Sequence, residues 1–361
     1  MKTFDQILAL LRCELWGEPL ACEVAAEDID GILAMAEEQG VGGLVANAIL
    51  ANDLPIGALK TVDVCTVTRL HELKSREMNR KVARFAGFLN RRNLKFVVMK
   101  GQTMAALYPH PLMRSCGDID FYCPKDSYKK TQKAIEERLG VAMVHDLSEI
   151  HDNFEVKEVS FEMHSHLTSL GYYKHQQYWE EWAEKELFQE MTQMEIDGVM
   201  VSILPPNVNV VYILCHIMEH LAEKNFALKQ LCDWAMVLHR YKDNIDREAF
   251  AHHLSELGLL KAGRVLGVWM VERIGFPKGE FPLHLNEKEE KWVTLIDQDF
   301  EYWTKARRDE KRISGGVSIL HSLQTAGIVV RKTFRFFWLA PAEMFWRFPK
   351  MAAWSVRKRV M

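Results

Sequence analysis

The sequence has no Cys-x-x-Cys pair, and its seven cysteines, at 13, 22, 65, 116, 123, 215 and 232, are scattered and odd in number. Neither a disulfide framework nor a zinc ribbon fits that spacing. Net charge is also nearly missing. The 49 acidic and 46 basic residues leave a formal −3, which argues against a protein held to nucleic acid by its overall charge. No apolar run approaches the roughly 20 residues that a membrane-spanning helix needs. The opening segment runs from Met1 into Ile7, Leu8, Leu10 and Leu11 but is punctuated by Glu14 and Glu18, without the apolar stretch and small-residue cleavage site of a signal peptide. These absences lead to the expectation of a reduced, cytoplasmic, soluble protein. Repeats and low-complexity segments are absent too, and with 48% apolar and 26% charged residues the chain is not disordered as a whole. Its 361 residues suffice for two or three folding units.

What is present changes period along the chain. Residues 1–90 read as helical, with apolar positions three to four apart around Ile32–Ala36 and Leu44–Leu50, and a long amphipathic helix over Glu72–Asn90 with Met78, Val82, Phe85 and Leu89 on one face. Leu94–Met99 is a short β-branched and aromatic run that reads as a buried strand. It ends at Lys100-Gly101-Gln102-Thr103, where helical turns begin and run to Pro109. Asp118–Cys123 alternates with period two, a second strand. After an amphipathic helix over Ser127–Leu139, Phe154–Val156 and Val159–His164 are two more strand candidates. Past Pro205-Pro206 the helical period returns through Val208–Leu221 and Lys229–Leu238. The expected fold class is α/β and predominantly helical, a small mixed sheet flanked by helical segments. The division expected is 1–90 helical, 91–204 the core, 205–275 a helical domain and 276–361 a C-terminal extension.

On a strand, residues i and i+2 share a face about 6.5–7 Å apart, so Asp118 and Asp120 present two carboxylates side by side. Two unpaired anions that close raise each other's pKa, and a divalent cation relieves the conflict. Hard oxygen ligands at this spacing suit Mg²⁺, which takes one or two carboxylates plus phosphate oxygens. Upstream, Gly101 lets backbone N–H groups approach an anion, and a following helix would offer its positive N-terminus. Lys100 and Arg114 add positive charge, Arg114 with a fork suited to phosphate.

Lys100-Gly101, Tyr108-Pro109, Arg114 and Gly117-Asp118-Ile119-Asp120 together resemble the uncharacterised nucleotidyltransferase family of the DNA polymerase beta-like superfamily. That superfamily's pattern is a strand, a Gly-Ser or Gly-Gly turn opening a helix, a D-x-D strand, and a third carboxylate on a later strand. Gln102 departs from it, standing where Ser or Gly is usual. The third carboxylate is assigned to Glu162, in the acid-then-histidine order of Glu162-Met163-His164, with Asp152, Glu155 and Glu158 as competitors. The resemblance extends into Leu214–Leu221 and Leu231–Ala235 and covers roughly residues 30 to 260. It implies two Mg²⁺ ions on Asp118, Asp120 and Glu162, phosphate contacts from Lys100, Gly101, Gln102 and Arg114, and an NTP, expected to be ATP, as donor of a nucleoside monophosphate. The acceptor is left open between a small molecule and a protein or peptide, with no nucleic-acid template expected. The alternative is a nucleotide-binding regulatory or partner protein on the same fold without catalysis.

Other residues stand out beside this set. His164 shares a strand face with Glu162, while His216 and His220 lie at i and i+4 on one helix face, a spacing zinc sites also use, though with no third ligand evident. With Asp233 they are candidates for an acceptor pocket. Asp233, in an otherwise apolar helix, calls for a partner, and His216 or His220 is the expected one. Residues 331–361 carry eight Lys and Arg against Glu343 alone, interleaved with Trp338, Trp346 and Trp354. That composition suits a helical extension packed on the domain or on a second copy, and also peripheral membrane contact.

Overall fold

The structure, a computed structural model, describes residues 2–145, 151–189, 192–222, 226–300, 330 and 333–347. Helices α1 (Lys2–Trp16), α2 (Ile29–Glu38) and α3 (Gly42–Ala51) lead into α4 (Ala58–Arg91), which is longer than its apolar spacing predicted. Then come β1 (Val97–Met99), α5 (Gly101–Ala105), β2 (Ile119–Tyr122), α6 (Tyr128–Leu139), β3 (Val144–His145), β4 (His151–Val156), β5 (Val159–His164) and α7 (Tyr173–Gln189). A hairpin of β6 (Gln193–Ile196) and β7 (Val199–Ser202) precedes α8 (Pro206–Ala222), α9 (Leu228–Arg240), α10 (Arg247–Glu256) and α11 (Leu260–Ile274).

The main sheet has the order β1-β2-β5-β4-β3. β2 and β5 run parallel, with Ile119 opposite Phe161 and Asp120 opposite Glu162, and the other pairs are antiparallel. One face is apolar because alternate residues point the same way. Phe121, Phe154 and Phe161 meet Phe85 of α4 there, with ring centroids 4.8 to 6.3 Å apart, and Met78, Val82 and Leu89 extend that core along the helix. A larger second core is helical, gathering α1, α3, α8, α9 and α11 around the buried Trp234 and Trp269. The fold is therefore the α/β, predominantly helical one expected, with a small mixed sheet.

The β6–β7 hairpin was not anticipated. Its turn, Asp197-Gly198, takes positive φ at both residues, 49° and 75°, the two-residue geometry that matches strand twist and that Asp-Gly favours. The C-terminal segment packs inward over 333–347, where Phe336, Leu339, Ala340 and Met344 are buried while Phe334 and Phe345 face outward. Pro341 opens the short helical stretch 341–347, the position in a first turn that tolerates proline. Glu343 accepts from the backbone N–H groups of Gly171 and Tyr172 and pairs with His175. A Cβ at residue 171 would stand 2.4 Å from the Glu343 carbonyl oxygen, so only glycine admits this approach. Of the aromatic and basic residues singled out in this tail, Arg331, Lys332, Lys350, Trp354, Arg357, Lys358 and Arg359 lie outside the described residues. Among the described residues no helix is long and apolar enough to cross a membrane.

The aromatic layer under the sheet makes Phe121, fully buried, a strong test of this architecture. Phe121→Ala is expected to cost about 3–5 kcal/mol of stability, measured by urea unfolding. A loss under about 1 kcal/mol would contradict the packing described.

Candidate active site

The face of the sheet opposite the phenylalanines is polar. Asp118 immediately precedes β2 and Asp120 lies within it, while Glu162 and His164 are two residues apart on β5. His151 on β4 is directly opposite His164. Strand alternation and register thus bring five polar side chains from three strands to one surface. They line a cleft of about 480 Å³ whose other walls come from the Lys100-Gly101 turn, from Glu37 and Glu38 at the end of α2, and from Tyr212, His216, Glu219 and His220 on α8 and Lys229 and Asp233 on α9.

Lys100 has an unusual backbone conformation. Its φ of 52° and ψ of −150° fall in a region nearly confined to glycine, a strain of order 1–3 kcal/mol that persists only where the surroundings enforce it. Gly101 follows with φ 48°. The turn is tied down by Thr103, whose N–H and hydroxyl both donate to the Lys100 carbonyl, at 3.1 and 2.7 Å. The consequence is that the Lys100 ammonium reaches the cleft and lies 3.1 Å from Asp120 Oδ1. The helix after the turn, α5, has five residues, too few to build the dipole expected there. The turn's own backbone N–H groups and Lys100 are what it offers an anion.

The two aspartates differ in electrostatics. Burial disfavours the charge of Asp120, but Lys100 and His164, whose Nε2 is 3.1 Å from the same oxygen, outweigh it and hold the carboxyl well below the usual range. Asp118 moves the other way. Its carboxyl is pushed up by burial and by repulsion from Asp120 and Glu162, against a smaller pull from Lys100. Burial opposes a charged His164, yet hydrogen bonds to Asp120 and Glu162 raise its pKa. The site is a set of three carboxylates with one lysine and one imidazole partly compensating them.

Asp233 has a different partner from the one expected. The Arg114 guanidinium donates to both its oxygens, from Nε at 3.0 Å and Nη2 at 2.6 Å, and the Tyr108 hydroxyl adds a bond of 2.8 Å. His216 and His220 are not its partners, because they face each other, Nε2 to Nε2 at 3.0 Å, one helical turn apart. The Arg114 fork is thereby occupied on the cleft wall. Gln102 is buried and does not line the cleft, whereas Lys100, Gly101, Asp118, Asp120, Glu162, His164, His216 and His220 all do.

Several cleft residues escaped the sequence reading, among them Glu37 and Glu38 and the four that follow. Tyr212 and Glu219 share a helical face with His216 and His220, so the 3.6 period could have found them. Lys229, at the start of an apolar helix, has a pKa lowered by burial first and then by Arg114. His151 belongs to a strand that begins three residues earlier than the apolar pattern suggested.

With this geometry in place, the fold and site define a nucleotidyltransferase-type protein: a small mixed sheet carrying a D-x-D strand, a neighbouring acid and a glycine turn. Residues 25–274 match the model of a family described as uncharacterised nucleotidyltransferase, and the chain belongs to that family. Curated proteins yield no match. Among solved structures it is similar to a nucleotidyltransferase-like antigenic protein from Paracoccidioides brasiliensis, with 13% identity and a TM-score of 0.35 over 50% of this chain and 87% of that one.

Two outcomes follow from the buried groups. Asp233→Ala strands the buried Arg114 charge and is expected to cost about 3–5 kcal/mol, most of it recovered when Arg114→Met is added; urea unfolding of the single and double variants measures both. Burial and then His216 press the His220 pKa down to about 2, and burial then Lys100 lowers that of His216. The unfolded imidazoles take protons near pH 6.5, so these two contribute stability above that pH and lose it as pH falls toward the folded values. The urea midpoint should drop between pH 7 and 5, and His220→Gln should flatten the drop; an unchanged profile in that variant would count against it.

Proposed function

We propose that the chain is a metal-dependent nucleotidyltransferase that moves a nucleoside monophosphate from an NTP, expected to be ATP, to an acceptor, with release of pyrophosphate. The observation that carries this reading is the convergence of Asp118, Asp120 and Glu162 on one sheet face beside the strained Lys100-Gly101 turn. Three carboxylates facing one cleft are a hard oxygen donor set that fits Mg²⁺. Two such ions on Asp118, Asp120 and Glu162 would neutralise the triphosphate and lower the pKa of the acceptor.

In the reaction the acceptor oxygen forms a bond to the α-phosphorus, the bond from that phosphorus to the bridging oxygen of the β-phosphate breaks, and the acceptor proton goes to a carboxylate base. Glu162 is the residue we assign to that proton, being partly exposed to the cleft and not locked in an ion pair with Lys100. Lys100 and the N–H groups around Gly101 bind the β- and γ-phosphates, with Lys229 a further cation on the facing wall. His164 keeps Asp120 ionised and oriented. The cleft volume suits a small molecule or the end of a peptide rather than a folded template, and His216, His220 and Tyr212 form its acceptor side. In this reading residues 91–204 carry the chemistry and 205–275 the acceptor wall, in the cytoplasm, while the exposed Phe334, Phe337, Phe345 and Trp346 are available for a membrane surface or a second copy.

The Lys100 ammonium seated on Asp120 favours a second reading, a nucleotide-binding regulatory or partner protein in which the lysine stands in for a cation. A screen of the four NTPs with labelled α-phosphate separates the two. Transfer of label with pyrophosphate release, lost in Asp118→Asn and Asp120→Asn while circular dichroism is unchanged, is the expected outcome. Release retained by Asp120→Asn would refute the assignment, and calorimetric binding of Mg²⁺-NTP without release across acceptors would favour the second reading.

A further inference from the structure

The sheet's polar face carries a second donor set, which adds His151, a residue the transfer reaction does not use, to Glu162 and His164. His151, Glu162 and His164 each direct a ligand-capable atom toward a common point, and these atoms all lie within 4.8 Å of one another. Glu162 Oε2 is 3.4 Å from His164 Nε2 and 3.9 Å from His151 Nε2. Ligands of a tetrahedral zinc ion with bonds near 2.0–2.1 Å stand about 3.3 Å apart, so the observed spacing needs small side-chain rotations only.

The backbone explains the convergence. Glu162 and His164 are two apart on β5 and share a face, and the antiparallel register with β4 sets His151 opposite His164, with ring centroids 4.9 Å apart. Donors on paired strands in the middle of a sheet are held more tightly than donors on loops. His164 is buried, and its Nδ1 has no hydrogen-bond partner among the described residues, so its polar interactions are concentrated at Nε2, on the side of the shared carboxylate.

From these observations we infer that His151, Glu162 and His164 form a binding site for a divalent transition metal such as Zn²⁺, open on one side to the cleft. The chemistry separates this site from the all-oxygen set of Asp118, Asp120 and Glu162, with which it shares the Glu162 carboxylate. Two imidazoles and one carboxylate suit zinc and its neighbours, whereas Mg²⁺ is bound through oxygen. Three protein ligands leave a fourth position free, and all three residues line the cleft. An additional oxygen, Asp120 Oδ1, lies 3.1 Å from His164 Nε2. This site does not rest on nucleotide transfer, since it requires neither nucleotide nor pyrophosphate release.

The test uses the full chain, stripped with a chelator and titrated calorimetrically with Zn²⁺ and separately with Mg²⁺, both without nucleotide. One equivalent of Zn²⁺ bound far more tightly than Mg²⁺ is expected, weakened about tenfold or more in His151→Gln and in His164→Asn, with circular dichroism showing that both variants fold. Co²⁺ should give the visible absorption of a tetrahedral nitrogen and oxygen site in the parent chain and lose it in His151→Gln. The paired variant His216→Gln, His220→Gln controls for the other histidine pair in the cleft and should keep the equivalent. Absence of stoichiometric Zn²⁺ binding, persistence of that binding in His151→Gln, or its loss in the His216 and His220 variant instead would each overturn the proposal. A chain that binds Zn²⁺ in this way but transfers no nucleotide would overturn the proposed function and leave this site standing.

Discussion

The pairing of β2 with β5 is the constraint on which the cleft depends. Asp120 stands opposite Glu162 and Phe121 opposite Met163 because the strands are parallel in this register. A slip of one residue would turn Glu162 and His164 toward the aromatic layer against Phe85 and bring Phe161 and Met163 to the polar face. Burying an acid and an imidazole in that layer, while exposing two large apolar side chains, is unfavourable on both counts. The hydrophobic packing beneath the sheet therefore specifies the polar constellation above it, and α4, which supplies Phe85, takes part in defining the site without touching it.

Charge is handled by two separate devices. On the sheet, three carboxylates crowd together and are only partly compensated by Lys100 and His164, which leaves a region of negative potential at the cleft. A few residues away, Arg114, Asp233 and Tyr108 form a closed, fully buried triad that joins the turn before β2 to α9. A bidentate pair of this kind contributes specificity of arrangement more than net stability. It ties the turn before β2 to α9 at the cleft wall.

Much of this was legible in the sequence where a period was clean. The alternation in Asp118–Cys123 and Val159–His164 identified both strands and paired Asp118 with Asp120 and Glu162 with His164 on their faces, and the apolar spacing around Trp234 identified α9. What escaped had physical reasons. The β6–β7 hairpin is half-exposed, so its apolar alternation is weak, although Asp197-Gly198 carried the turn signal. His151 went unnoticed because β4 starts in polar residues that mimic a loop. The partner of Asp233 could not be read because Arg114 lies 119 positions away, and a helix reports its own neighbours at i+3 and i+4 but not a contact across the core. Sequence periodicity sees one element at a time, whereas the cleft is made between elements.

Arg347 joins the cleft wall through Glu219, 2.7 Å away, and through the Ser169 carbonyl. Glu219 in turn sits beside His216. The two members of that ion pair are separated by 128 positions, so a chain emerging from the ribosome carries its sheet, its acids and most of its helical core well before the residue that neutralises Glu219 has been made. Without Arg347, Glu219 has only the neighbouring imidazoles of His216 and His220 to offset its charge at the cleft. The cleft wall is thus completed by a residue from the last part of the chain to be synthesised.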